Sequence, residues 1–169
     1  MSVNRQNFTL LLAILGTLTV GSVTAQNFAA YTLNPVPIIV NLDATSPAII
    51  LQSPNFGIAN YENLSNYTLT IRSGSVPLVL VFSFRHFNLE YEQSCLYDAL
   101  YLREDAFCGT WAAGREFPYL FLPQREFTIR FKTDESVRRP GFQILVDPEP
   151  ADNVYDDYNG DYPNYLFSN

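Results

Sequence analysis

The chain has few of the residues on which enzymes usually depend. Its 169 residues include one histidine, His86, and only two cysteines. It contains no Gly-x-Ser-x-Gly nucleophile motif, no His-Glu-x-x-His zinc motif and no glycine-rich phosphate loop. Paired carboxylates are the remaining catalytic candidates, and glycoside hydrolysis requires two of them at a defined separation in space. We therefore predict no catalytic residues and a protein that is not an enzyme.

Basic charge is also scarce, since 10 Lys and Arg face 17 Asp and Glu, for a net charge of −7. Six of the acidic residues lie in residues 147–169, which have no basic residue and four tyrosines. Phosphate binding requires a basic field, so a nucleic-acid partner is disfavoured. We predict that 147–169 is an acidic, tyrosine-rich, disordered tail. Its tyrosines could be sulfated and bind a basic partner, or the tail could simply increase solubility.

Apolar runs that approach the length of a membrane span are absent except near the amino terminus. There, Arg5 precedes an apolar run from Phe8 to Val20, and small residues lead to Ala25. This layout is typical of a secretory signal peptide, and the run is short for a membrane span. We predict a signal peptide over 1–25 and a secreted, extracellular protein without a membrane span. A buried helix or an uncleaved anchor is the alternative interpretation.

Export would have two chemical consequences for the chain. Cys95 and Cys108 can form one intramolecular pair, and a disulfide is the natural state outside the cell. Metal ligation by the two thiols is the weaker alternative. Asn63 and Asn66 each begin an acceptor sequence for N-glycosylation, Asn63-Leu64-Ser65 and Asn66-Tyr67-Thr68. The two overlap so closely that we expect one glycan to exclude the other.

Short β-strands separated by turn residues account for most of the remaining sequence. The clearest strand is 127–132, where apolar and polar residues alternate with a period of two. Other predicted strands are 38–40, 48–52, 67–72, 77–84, 96–103 and 142–146, while 109–123 is predicted to be a long connection. No amphipathic helix follows the signal peptide. We therefore predict an all-β fold, an antiparallel sandwich or barrel.

Acidic residues are crowded into one short stretch. Residues 87–98 contain Glu90, Glu92 and Asp98, and the pair Asp134-Glu135 follows the clearest strand. If the two places meet in the fold, they form an oxygen-rich pocket. Alternatively, Glu90 and Glu92 belong to a solvated turn, and Asp98 caps a turn or pairs with Arg103.

Five motifs in sequence order resemble those of the CUB domain, an extracellular β-sandwich interaction module. They are 53–56 (Ser-Pro-Asn-Phe), 84–90 (Phe-x-x-Phe-x-Leu-Glu), 95–98 (Cys-x-Tyr-Asp), 108–109 (Cys-Gly), and 134–136 with 141–142. The resemblance implies a jelly-roll-like sandwich over 42–146, preceded by an N-terminal extension over 26–41. The chain departs from the family pattern at Tyr67, where the family usually has a cysteine of an earlier disulfide. The segment between Cys95 and Cys108 is also shorter than is usual in the family.

The resemblance also implies calcium. Calcium-binding members of the family use a glutamate, an aspartate eight residues later and an aspartate from a later loop, which correspond to Glu90, Asp98 and Asp134. Ser136 could add an oxygen, whereas Val137 stands where some members carry a polar ligand. Three carboxylates with carbonyls and water suffice for calcium.

The function predicted on this basis is a secreted, non-enzymatic module that binds an extracellular protein or glycan through the loops around Glu90, Asp98 and Asp134. In resembling proteins, a basic side chain of the partner often approaches these carboxylates. The alternative is a structural or extracellular-matrix protein that recruits basic partners through its acidic tail.

Overall fold

A computed structural model describes residues 27–151 of the chain. The predicted signal peptide and residues 152–169, with the tail tyrosines, lie outside the described residues. The strands are β1 Ala29–Thr32, β2 Ile38–Leu42, β3 Ile49–Gln52, β4 Asn66–Ser73, β5 Leu78–Asn88, β6 Ala99–Leu102, β7 Asp105–Phe107, β8 Thr110–Trp111, β9 Arg115–Phe121, β10 Glu126–Lys132 and β11 Gly141–Pro150. Over 27–151 there is no helix, so the predicted all-β class is confirmed.

The strands form two sheets that pack face to face. The first has the order β1-β3-β11-β5-β8, and β9 also pairs with β5. The second has the order β2-β4-β10-β6-β7. Most pairings are antiparallel, as predicted, but each sheet also contains one parallel pair: β1 with β3, and β2 with β4.

The first two strands tie the beginning of the described chain into both sheets. β1 lies at one edge of the first sheet and β2 at one edge of the second. The stretch 26–41, expected as an extension before the domain, therefore contributes most of the residues of two edge strands. At the other end, β11 continues to Pro150 and Ala151 is buried, so regular structure extends beyond residue 146.

The prediction of a long connection over 109–123 was wrong. The segment contains β8 and the seven-residue strand β9, which pairs with β5 from Leu78 to Phe84. Pro118 suggested a loop because proline cannot donate a ladder hydrogen bond. β9 pairs with β5 alone among the described strands, and an edge position of this kind tolerates proline.

Aromatic side chains fill much of the space between the sheets. Phe84 stacks on Phe87 with ring centroids 4.5 Å apart and contacts the rings of Phe107 and Phe117. In β10, Phe127, Ile129 and Phe131 are buried and the residues between them are exposed, as the sequence alternation predicted. Burial of these large rings, together with the buried leucine, isoleucine and valine side chains, supplies the hydrophobic stabilisation of the domain.

Residues 27–151 contain no helix that is long and apolar enough to cross a membrane.

Candidate functional site

Three carboxylates converge at one end of the sandwich. Glu90 follows β5, Asp98 immediately precedes β6, and Asp134 follows β10. β6 and β10 are antiparallel neighbours with Ala99 opposite Lys132, so the start of one strand meets the end of the other. One oxygen from each of the three carboxylates lies within 4.8 Å of the others. The fold therefore brings together the two acidic places that are separate in the sequence.

Asp98 is the buried centre of this group, with 0% of its surface exposed. Its Oδ2 accepts a hydrogen bond from the hydroxyl of Tyr61, and its Oδ1 accepts one from the backbone N–H of Asp134 at 2.9 Å. The alternative pairing with Arg103 does not occur, because that guanidinium donates to the carbonyl of Leu120 and lies over the ring of Phe127. Asp98 thus joins two loops at the site.

Asp134 is held in place by its own loop. Its Oδ1 accepts hydrogen bonds from the backbone N–H of Ser136 at 2.7 Å and from the Ser136 hydroxyl at 3.2 Å. Its carbonyl accepts a bond from the N–H of Leu64 at 2.7 Å. Ser136 therefore lies beside the cluster and orients the Asp134 carboxylate.

Ionisation of the Asp98 and Glu90 carboxyl groups is energetically unfavourable at this site. Burial raises the pKa of Asp98, and the nearby charge of Asp134 adds to the rise, while hydrogen bonds from Tyr61 and the Asp134 backbone oppose it. Burial also raises the pKa of Glu90; Asp98 and Asp134 add to this, and Arg139 partly offsets it. A cation among the three carboxylates would relieve both the desolvation and the mutual repulsion.

Two further observations test whether a cation fits. Among residues 27–151, the buried side-chain oxygens without a hydrogen-bond partner are Glu90 Oε2 and Asn63 Oδ1. Glu90 belongs to the cluster, and Asn63 lies beside it because its Nδ2 donates to the carbonyl of Glu135 at 2.7 Å. Buried oxygens normally have partners. Oxygen acceptors in this arrangement suit a hard cation such as calcium.

Tyr61 is a residue of the site that the sequence reasoning missed. It is fully buried; its hydroxyl donates to Asp98 and accepts a bond from the N–H of Glu90 at 3.2 Å. Burial and the Asp98 carboxylate raise its pKa far above the ordinary value, so it remains a neutral donor. The available signal was weak: a tyrosine in a loop of exposed residues, without periodicity.

Glu92 stabilises the loop that separates Glu90 from Asp98. Its carboxylate accepts hydrogen bonds from the N–H groups of Ser94 and Leu96, and its carbonyl accepts one from Cys95. The alternative interpretation placed Glu92 in a solvated turn, and its side chain organises that turn. It does not join the other three carboxylates.

The predicted disulfide joins the same loop to the short link between β7 and β8. Cys95 and Cys108 are bonded with their Cα atoms 5.5 Å apart, which excludes the alternative of metal ligation by free thiols. Next to it, the N–H of Gly109 donates to the carbonyl of Glu90, and the N–H of Leu89 donates to the carbonyl of Gly109. The disulfide and these bonds fix the position of Glu90.

Removing the disulfide is expected to destabilise the domain without unfolding its core. In the chain-entropy model, a loop of this length is worth about 3 kcal/mol, so Cys95→Ala/Cys108→Ala should lower the free energy of unfolding by that amount. Urea denaturation of the variant and of the reduced wild type would measure it. Equal stability of the oxidised wild type and the double variant would contradict the prediction.

The fold and the site together define a β-sandwich domain with an acidic loop face at one end. A sequence model of the CUB domain matches residues 41–145, and the chain belongs to the CUB family. This confirms the resemblance seen in the five motifs. CUB domains are non-enzymatic modules of extracellular proteins that mediate protein interactions.

The chain spans less than half the length of each of three similar proteins. The dorsal-ventral patterning protein tolloid of Drosophila melanogaster is 34% identical over 95 residues, which cover 50% of this chain and 9% of tolloid. The CUB1-EGF-CUB2 domains of rat MASP-1 match with a TM-score of 0.52 and 23% identity, over 73% of this chain and 47% of that one. The full extracellular region of zebrafish Gpr126/Adgrg6 matches with a TM-score of 0.55 and 21% identity, over 68% of this chain and 15% of that one. The structural matches show the sandwich fold.

Proposed function

We propose that this protein is a secreted, non-enzymatic interaction module in which calcium orders an acidic loop face that binds an extracellular protein or glycan. Glu90, Asp98 and Asp134 would hold the ion, with Ser136 beside them. The observation that carries the proposal is the convergence of these carboxylates, two from the β5–β6 loop and one from the loop after β10, within 4.8 Å. An ion bound there would connect the two ends of the β5–β6 loop to the loop after β10.

Calcium suits this site for reasons of charge and geometry. It accepts six to eight oxygens in flexible arrangements, so carboxylates from separate loops can be completed by carbonyls and water. Magnesium demands near-ideal octahedral geometry and keeps several of its waters. The bound ion would supply ordering and not chemistry.

The surface around the cluster is suited to a protein partner. The loop between Glu90 and Asp98 exposes Tyr91, Leu96 and Tyr97, with 74%, 67% and 46% of their surfaces accessible. Aromatic side chains are enriched in protein interfaces. We propose that the partner presents a lysine or arginine to the carboxylates and apolar atoms to these side chains.

Calcium is expected to raise the thermal stability of the purified protein. At a free concentration ten times the dissociation constant, a single site adds about 1.4 kcal/mol, which corresponds to about 5 °C in Tm for a domain of this size. Differential scanning calorimetry with calcium, with magnesium and with chelator would measure the shift. A Tm that is the same in calcium and in chelator would exclude the site.

The same ion should control partner binding. Capture of extracellular partners by the wild-type protein is expected to fall when calcium is chelated and to recover when it is restored. Capture that persists in chelator would show that the interaction does not require the ion.

A further inference from the structure

The two overlapping acceptor sequences for N-glycosylation (sequons) begin at Asn63 and Asn66, and the fold places these two asparagines in different surroundings. N-glycosylation transfers an oligosaccharide from a lipid diphosphate donor: a bond forms between asparagine Nδ2 and the sugar C1, the bond from C1 to the diphosphate breaks, and Nδ2 loses a proton. The acceptor sequence also requires the hydroxyl two residues later, here Ser65 or Thr68. We propose that Asn66 carries the glycan in the secreted protein and that Asn63 remains unmodified. This inference shares with the proposed function only the export of the chain and does not depend on calcium.

Asn63 is built into a junction between two loops. Its Nδ2, the atom that would carry the sugar, donates to the carbonyl of Glu135 at 2.7 Å, and its Oδ1 is buried. The next N–H, of Leu64, donates to the carbonyl of Asp134. A glycan at Asn63 would have to be accommodated in this contact, where it would separate the loops that position Asp134.

The hydroxyl of the first sequon is also engaged in the fold. Ser65 is 2% exposed, and its Oγ donates to the carbonyl of Glu62 at 2.9 Å. Its N–H donates to Thr133 Oγ1 at 2.8 Å, and its carbonyl accepts a bond from the N–H of Thr133. Since sugar is added before folding is complete, a chain modified at Asn63 would have to form this closely bonded junction around a bulky group.

Asn66 has the opposite surroundings. It is exposed at the start of β4, where alternate residues face outward while Leu69 and Ile71 are buried. β2 pairs with β4 only from Leu69 onward, so among the described strands residues 66–68 have a neighbour on one side only, β10. A glycan can extend from this position without displacing any strand.

The position of the glycan would also restrict access to the acidic face. Asn66 lies opposite Lys132, two residues before Asp134, on the outer surface of the second sheet. A sugar there would occupy the margin of the acidic face on the side of β4 and β10. A partner would then approach from the side of the disulfide loop, where Tyr91, Leu96 and Tyr97 are exposed.

The assignment is tested by mass spectrometry of the full chain secreted from cultured animal cells. Enzymatic removal of N-glycans converts the modified asparagine to aspartate, which marks the residue in a peptide map of the wild type. We expect the mark at Asn66 in every glycosylated molecule. A mark at Asn63, or secreted protein without a glycan, would overturn the proposal.

Two matched pairs of variants provide an independent readout. Asn66→Gln and Thr68→Ala each remove only the second sequon and should abolish the glycan mass. Asn63→Gln and Ser65→Ala each remove only the first, and the secreted protein should retain one complete glycan. Retention of the glycan in Asn66→Gln would contradict the assignment. Because the readout is mass, its outcome is separable from the calcium titration, which tests the proposed site.

Discussion

Asp98→Ala should abolish the stabilisation by calcium and lower the stability of the calcium-free protein. The carboxylate is fully buried and accepts hydrogen bonds from Tyr61 and from the Asp134 backbone. Its removal leaves the buried Tyr61 hydroxyl and the partly buried Asp134 N–H without an acceptor, at about 1–3 kcal/mol each, so we expect a loss of about 4 kcal/mol. The calcium-dependent increase in Tm should be lost because one of the three carboxylates is missing. Calorimetry with and without calcium measures both effects.

The chain offers a matched control for this experiment. Asp105 accepts a hydrogen bond from the hydroxyl of Tyr119 at 2.8 Å, a second pairing of a buried tyrosine with an aspartate, and it does not belong to the carboxylate cluster. Asp105→Ala should destabilise the protein by about 1–3 kcal/mol and leave the full calcium response. If both variants respond to calcium as the wild type does, Asp98 is not a ligand.

Gly141→Ala is expected to destabilise the domain by about 4 kcal/mol. The glycine begins β11 with a φ of 91°, a conformation that costs a residue with a side chain about 1–2 kcal/mol. An added Cβ would also overlap Ser53 Oγ and lie 3.0 Å from Ser53 Cβ, and overpacking of this kind costs about 1–3 kcal/mol. Ser53 cannot easily move aside, because its Oγ accepts the hydrogen bond of the Phe142 N–H.

Gly57→Ala separates the two contributions to this effect. Gly57 also has a positive φ, 78°, but an added Cβ there would meet nothing within 4 Å. It should therefore show only the backbone cost of about 1–2 kcal/mol. Chemical denaturation of both variants measures the difference. Equal losses would show that Ser53 relaxes and that the overlap is not a constraint.

The strands could be predicted from the sequence where one physical signal dominated. The strict alternation of β10 predicted its exposed and buried faces, and the apolar run at 77–84 predicted most of β5. The site could be predicted in part because three acidic residues in defined motifs resembled those of a family. Their convergence depends on strand order, which the period of individual strands does not encode.

The errors have equally physical causes. β9 was missed because a proline in an edge strand has the same local appearance as a proline in a loop. The parallel pairings of β1 with β3 and of β2 with β4 were missed. Short strands in mixed sequence become stable only through partners that are distant in the chain, here Ile49–Gln52 and Leu69–Ser73. Tyr61 joined the site through a hydrogen bond across 37 positions of sequence, which no local pattern reveals.

The placement of β1 and β2 has a consequence for how the domain is excised and handled. A fragment that begins at residue 41, where the family match begins, would lose β1 and most of β2. It would expose the backbone donors and acceptors of β3 and β4, one in each sheet, and open edges of this kind pair readily with other chains. The residues before the family boundary thus protect both sheets against self-association.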